Sequence, residues 1–149
     1  MLLETLIKIF NRDLNKLKEE INAYNNESNL WIVDKAVSNC AGNLCLHIVG
    51  NLNHFIGAEL GETGYVRQRD LEFSLKNVPK AELLSQVDEV MIIVENTLSK
   101  LTPKDLEKEY RRKVFEDYMT TGYFLVHLST HLAYHLGQIN YHRRLLDSK

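Results

Sequence analysis

Several features are scarce in this sequence, and each scarcity excludes a class of protein. Cysteine occurs only at Cys40 and Cys45. Five residues apart, these two side chains would point about 140° from each other on a helix. They form neither a disulfide framework nor a CxxC motif, so we expect two reduced thiols. No apolar run approaches the ~20 residues that a membrane span requires, which argues against a membrane protein.

Excess positive charge is also missing. The 18 Lys and Arg residues are outnumbered by 20 Asp and Glu, and the basic clusters at 111–113 and 143–144 are short. This distribution gives no positive field for nucleic acid. The first residues include Glu4 and show no basic segment followed by an apolar core and a cleavage site, which argues against secretion. We therefore expect a soluble cytoplasmic protein with no nucleic-acid or membrane partner.

Apolar residues recur at helical spacing, and period-two alternation is almost absent. Four long helices are predicted at residues 2–24, 39–60 with Ser38 as N-cap, 79–101, and 120 or 121 to 146, with a short helix or turn at 102–108. Residues 61–78 form a long connection, and 108–119 receive no prediction. Gly42 and Gly50 inside the second helix indicate close approach of another helix or of a ligand. The expected fold is all-α, a four-helix bundle forming a single domain over residues 1–149.

The last predicted helix carries its histidines on one stripe. With His127 at zero, His131 falls at about 40°, His135 at about 80° and His142 at about 60° around the axis. Along the axis His131 and His135 are only ~6 Å apart, whereas His142 lies ~10 Å beyond His135. One metal ion can therefore bind the i, i+4 pair but not the whole stripe.

The second helix offers a further ligand from His47 or His54, which lie ~10 Å apart along its axis. One of these with the i, i+4 pair gives three nitrogen ligands and an open position, the arrangement of a catalytic metal site. The pattern allows His47, His131 and His135, or a variant that uses His54 or His127. Surface or core histidines without metal are the alternative. Residues 122–145 contain no Asp or Glu, which disfavours a di-iron carboxylate site and favours zinc, nickel, copper or iron.

Two segments carry a family resemblance: "LCLHIVGNLNHFIGAELGETGYVRQRDLEFS", residues 44–74, and "LVHLSTHLAYHLGQINYHRRLL", residues 125–146. With its "HxxxHxGQ" end, the chain resembles the DinB-like superfamily of metal-dependent four-helix bundles over nearly its whole length. The resemblance implies that His47, His131 and His135 bind a divalent metal, with zinc or nickel expected. His54, His127 and His142 do not match ligand positions. It also implies a homodimer.

The resemblance further implies a metal-dependent transferase that moves a low-molecular-weight thiol of the bacillithiol, mycothiol or glutathione type onto a small-molecule electrophile. The alternatives are a metal-dependent hydrolase and a non-catalytic metal-binding bundle. No catalytic group is expected beyond a metal-bound thiol or water.

Five polar residues are expected to support the site. Asn43 and Asn51 are placed to orient His47, and Gln138 to hold a bound water or ligand or, equally, to cap a helix contact. Arg67 and Arg69 are placed to receive a carboxylate of the thiol or the substrate, or to pair with Asp70, Glu72 or helix-end carbonyls and hold the loop.

Overall fold

The computed structural model describes residues 1–147, so residues 148 and 149 of the expected domain lie outside the described residues. The described chain is helical, which confirms the all-α prediction. Its elements are α1 (Leu2–Asn22), a 3₁₀ turn (Glu27–Trp31), α2 (Ala41–Leu52) continued by a π-helical segment (Asn53–Ala58) and a closing turn (Glu59–Gly61), α3 (Arg69–Ser74), α4 (Lys80–Ser99), α5 (Pro103–Glu107) and α6 (Thr121–Leu146). Between residues 1 and 147, β structure is confined to two isolated bridges, Asp34 with Val37 and Glu109 with Thr120.

The long helices pack through the apolar faces that the sequence predicts. α1 lies against α4 and α6, and α2 lies against α3, α4 and α6. On the predicted face of α1, Leu2 is exposed and Leu3 and Ile7 are partly buried, and the fully buried residues are Leu6, Phe10, Leu14, Leu17 and Ile21. One hydrophobic cluster joins residues from α1, α2, α4, α5 and α6. Every residue of α2 from Ala41 to Leu52 is buried, so its polar side chains lie inside the protein.

Side-chain caps mark the starts of α5 and α6. Thr102 caps α5 through a capping box with Asp105, and the Oγ1 of Thr120 accepts a hydrogen bond from the backbone N–H of Tyr123 at the start of α6. The Ser38 N-cap prediction was wrong, because α2 begins at Ala41 with Cys40 as its N-cap. The chain first turns back on itself at the Asp34–Val37 bridge, which places Ser38 before the helix.

Side chains of two neighbouring elements approach the two internal glycines of α2: Trp31 of the 3₁₀ turn at Gly42, and Glu72 of helix α3 at Gly50. A Cβ on Gly42 would lie 2.6 Å from two ring carbons of Trp31, so the absence of a side chain lets the indole pack flat against the helix. The second case, Gly50, borders the candidate site. Within residues 1–147, no helix has both the length and the apolar character needed to cross a lipid bilayer.

Candidate metal centre

Three imidazoles from two helices converge at one point. α2 supplies His47, and α6 supplies His131 and His135 from successive turns. The Nε2 of His131 lies 3.3 Å from the Nε2 of His47 and 3.1 Å from the Nε2 of His135. Ligands at ~2.0–2.1 Å around a tetrahedral ion are separated by about 3.3–3.4 Å, close to these distances. The three ligand atoms all lie within 4.8 Å of one another, and the group can hold a metal ion.

The far side of the His47 ring is held by a buried carboxylate. His47 Nδ1 lies 3.0 Å from Oε1 of Glu72. An ionised carboxylate only accepts hydrogen bonds, so this contact assigns the proton of a neutral imidazole to Nδ1. The Nε2 of His47 then presents a lone pair toward the other two histidines, as metal coordination requires.

Gln138 orients His135 in the same way. Its Oε1 lies 2.7 Å from Nδ1 of His135, three residues earlier on the same helix. The amide oxygen accepts, so the ring proton again belongs on Nδ1 and Nε2 is left bare. Gln138 therefore contacts a histidine of the triad in this structure.

Burial favours the neutral form of His131 and His135. Desolvation, followed by the neighbouring His135 and His47, lowers the pKa of His131 to about 4. Desolvation also lowers the pKa of His135, although the bond to Gln138 opposes it. Neutral imidazole is the metal-binding form, because protonation occupies the lone pair. Unprotonated nitrogens aimed at one point suit a first-row divalent cation such as zinc or nickel.

The two arginines of the long connection have different surroundings. Arg67 Nε and Nη2 donate to the two oxygens of Glu72 at 2.9 and 3.0 Å, so its guanidinium is engaged in a bidentate ion pair. Burial acts to raise the pKa of Glu72, but hydrogen bonds from His47 and Arg67 outweigh it and leave the pKa below its ordinary value. The guanidinium of Arg69 lies 5.2 Å from the ring centre of Phe73, which packs against His47.

The two asparagines flank His47 in α2 but make different contacts. Asn43 Nδ2 donates to the backbone carbonyls of Glu72 and Leu75 at 2.9 and 2.8 Å, so it ties the end of α3 to α2. Asn51 lies one turn beyond His47, and its buried Oδ1 has no hydrogen-bond partner within the part of the chain that the structure describes. Buried polar atoms are nearly always paired, so a donor on a bound molecule would satisfy this oxygen.

The remaining histidines lie outside the triad. His127 packs against the rings of Phe115 and Phe124, and His54 packs against Phe55. His142 is buried, with Nδ1 2.7 Å from the hydroxyl of Tyr24 and Nε2 2.9 Å from the carbonyl oxygen of Ile32. His54 and His127 therefore contribute to aromatic packing, and His142 links α6 to Tyr24 and Ile32.

Sequence reasoning missed Glu72 as the partner of His47. It considered this residue only as an ion pair for Arg67 or Arg69, because 25 residues separate it from His47. The sequence signal that could have indicated such a partner was Gly50, an internal glycine three residues after His47 in a buried helix.

Over residues 1–147 the fold and the site together define a class: a helical protein in which two helices bring three imidazoles together as a candidate metal centre. Residues 2–149 match the sequence model of a family described as protein of unknown function (DUF1572), and the chain belongs to that family. A search of curated proteins found no match.

Proposed function

We propose that this protein is a divalent-metal-binding, DinB-like four-helix bundle, with residues 1–149 as its single domain. His47, His131 and His135 are the proposed ligands, and zinc or nickel is the proposed ion. The observation that carries the proposal is the convergence of three Nε2 atoms, two of them left unprotonated by the bonds that Glu72 and Gln138 accept from Nδ1. Three protein ligands leave a coordination position open for a small molecule, as catalytic sites do.

The proposed reaction is transfer of a low-molecular-weight thiol to a small electrophile. A divalent ion held by His47, His131 and His135 would supply Lewis acidity, which lowers the pKa of a thiol or water. The chain's own residues orient the ligands: Glu72 holds His47 and Gln138 holds His135. Asn51, one turn along α2 from His47, is proposed to help orient that ring.

Arg69 is the proposed contact for a carboxylate on the thiol or the substrate. Within residues 1–147 no ion pair or hydrogen bond engages its guanidinium, which lies beside Phe73 next to His47. A guanidinium matches a carboxylate with two parallel hydrogen bonds. Arg67 is the second proposed contact, and it can take this role only by sharing or exchanging its bonds to Glu72.

A non-catalytic metal-binding bundle is the second candidate, and one observation favours it. The triad joins α2 to α6 across 84 residues of sequence, so an ion bound there would cross-link two helices of the core. Folding and metal binding would then be coupled, because the unfolded chain has no preformed site.

We further propose a cytoplasmic homodimer. Both cysteines, Cys40 and Cys45, are free and buried, as expected in a reducing compartment. α6 exposes large apolar side chains that all fall within about 100° of its circumference at 3.6 residues per turn: Tyr123, Val126, Tyr134, Tyr141 and Leu145. A dimeric mass by light scattering is the expected result, and a monomeric mass at high concentration contradicts it.

Elemental analysis of protein purified without a histidine tag tests the metal centre. We expect about one equivalent of metal in the wild type and none in the His131→Ala, His135→Ala double variant. No bound metal in the wild type, even after incubation with zinc and nickel, overturns the proposal.

The loaded protein is then mixed with a panel of thiols and electrophiles, and the loss of free thiol is followed with and without a chelator. Metal-dependent thiol consumption supports the transferase. Ester turnover without thiol consumption, abolished by His47→Ala, supports a hydrolase instead. Bound metal with neither activity supports the non-catalytic candidate.

A further inference from the structure

The connection between α2 and α4 brings one carboxylate into the protein interior. Most residues from Glu62 to Ser74 are exposed or partly exposed, whereas Glu72 has a relative accessibility of 6%. Burying a carboxylate is unfavourable unless charged and polar partners surround it. Glu72 therefore occupies a prepared environment, and three parts of the chain prepare it.

The first part is Gly50, one turn along α2 from His47. A Cβ at this position would lie 1.9 Å from Oε2 and 2.5 Å from Cδ of Glu72. Both distances are far below van der Waals contact, so the carboxylate occupies the space that a side chain at residue 50 would fill. Glycine is unfavourable inside a helix, and at this position its effect is to admit Glu72 beside His47.

The second part is Arg67, and the third is Asn43. Arg67 donates to both carboxylate oxygens of Glu72 in a bidentate pair. Asn43 donates from its side-chain amide to the backbone carbonyl of Glu72. Both the head group and the main chain of Glu72 are therefore fixed, and Oε1 is held 3.0 Å from Nδ1 of His47.

We propose that Glu72 is a positioning residue of the metal centre, which fixes the tautomer and orientation of His47 and thereby sets the affinity for the ion. This inference rests on the proposed metal binding by the triad. Histidine ligands of metals usually donate their second N–H to a carboxylate or carbonyl, and losing that partner typically lowers metal affinity 10–100-fold. Glu72 is the carboxylate in this role, and Gly50, Arg67 and Asn43 hold it in place.

The test compares zinc affinity in the wild type, Glu72→Gln and Glu72→Ala by competition with a chromophoric chelator. Absorption of the Co²⁺-loaded proteins reports the ligand field independently of stability. Glu20→Gln is the matched control, because Glu20 pairs with Arg143 and Asn140 away from the triad. If the loss of any arginine–carboxylate pair were enough to lower zinc affinity, Glu20→Gln would lose affinity as the Glu72 variants do.

We expect Glu72→Ala to bind about one equivalent of zinc with ~10–100-fold lower affinity and an altered Co²⁺ spectrum. Glu72→Gln should lose less, because its amide oxygen still accepts from Nδ1, and Glu20→Gln should match the wild type. Wild-type affinity in Glu72→Ala overturns the inference. If Glu72→Ala loses its helical circular dichroism, the test rests on Glu72→Gln. Wild-type zinc affinity and a wild-type Co²⁺ spectrum in Glu72→Gln then overturn the inference. Absence of binding in the wild type overturns the proposed function, and the inference with it.

Discussion

Replacing Gly50 with alanine should destabilise the metal-free protein, although alanine is the better helix former. In an unobstructed helix the change stabilises by about 0.8–1.0 kcal/mol. Here the new Cβ would lie 1.9 Å from Oε2 of Glu72. The carboxylate cannot turn aside without breaking its bonds to His47 and Arg67, which are 2.9–3.0 Å long.

Breaking a buried ion pair costs roughly 3–5 kcal/mol, which exceeds the gain in helix propensity. The expected net loss for Gly50→Ala is about 2–4 kcal/mol, or roughly 5–15 °C in Tm for a protein of this size. The sign should reverse in a protein that already carries Glu72→Ala. In that background the obstruction is gone, and Gly50→Ala should stabilise by about 0.5–1 kcal/mol.

The assay is urea unfolding followed by far-ultraviolet circular dichroism, with a chelator present throughout. Gly137→Ala is the matched control, because a Cβ at Gly137 meets no atom within 4 Å and the change should stabilise α6. Equal effects of Gly50→Ala in the wild-type and Glu72→Ala backgrounds would refute the reasoning. A stabilisation by Gly50→Ala as large as that by Gly137→Ala would also refute it.

Three further predictions concern stability. Tyr24→Phe leaves Nδ1 of the buried His142 without its donor and should lower the free energy of unfolding by about 1–3 kcal/mol in urea; an unchanged midpoint contradicts this. Burial acts to raise the pKa of Glu20, but bonds from Arg143 and Asn140 leave it below the ordinary 4.5. The stabilisation from ionised Glu20 is thus fully present above about pH 4.5 and is lost as pH falls through the lowered pKa. The unfolding free energies of the wild type and Glu20→Gln should therefore converge in acid; a constant difference across pH contradicts this. Zinc at a hundredfold its Kd should stabilise the wild type by about 2.7 kcal/mol, and an equal gain in the His131→Ala, His135→Ala variant would place the ion elsewhere.

The helices and their ends were largely readable from local sequence. Apolar residues at three- and four-residue spacing predict the buried faces of α1 and α4, and Thr102 and Thr120 mark where α5 and α6 begin. α2 was harder to delimit. Its start depends on the turn closed by Asp34 and Val37, and its end passes into a π-helical segment at Asn53 that α-helical spacing does not predict.

Some residues of the candidate site were also predictable from sequence, and others were not. Helical geometry alone puts His131 and His135 on one face a turn apart, so two of the three histidines of the triad follow from sequence. His47 as the third member followed from a family resemblance, because spacing left His54 open. Glu72 did not follow from either. Gly50 of α2 faces the side chain of Glu72 in helix α3, and Gly42 faces the ring of Trp31 in the 3₁₀ turn.

The sequence by itself determined that the chain is helical, where most of its helices lie, and that α6 carries two histidines able to share one ion. These properties depend on residues within one or two turns of each other, where α-helical geometry fixes distances. Only the tertiary structure decided that Glu72 is buried over Gly50 against His47, and that His142 is a cross-link to Tyr24 and Ile32. Those contacts join residues far apart in sequence, up to the 118 positions between Tyr24 and His142, and their partners are set by how the helices pack.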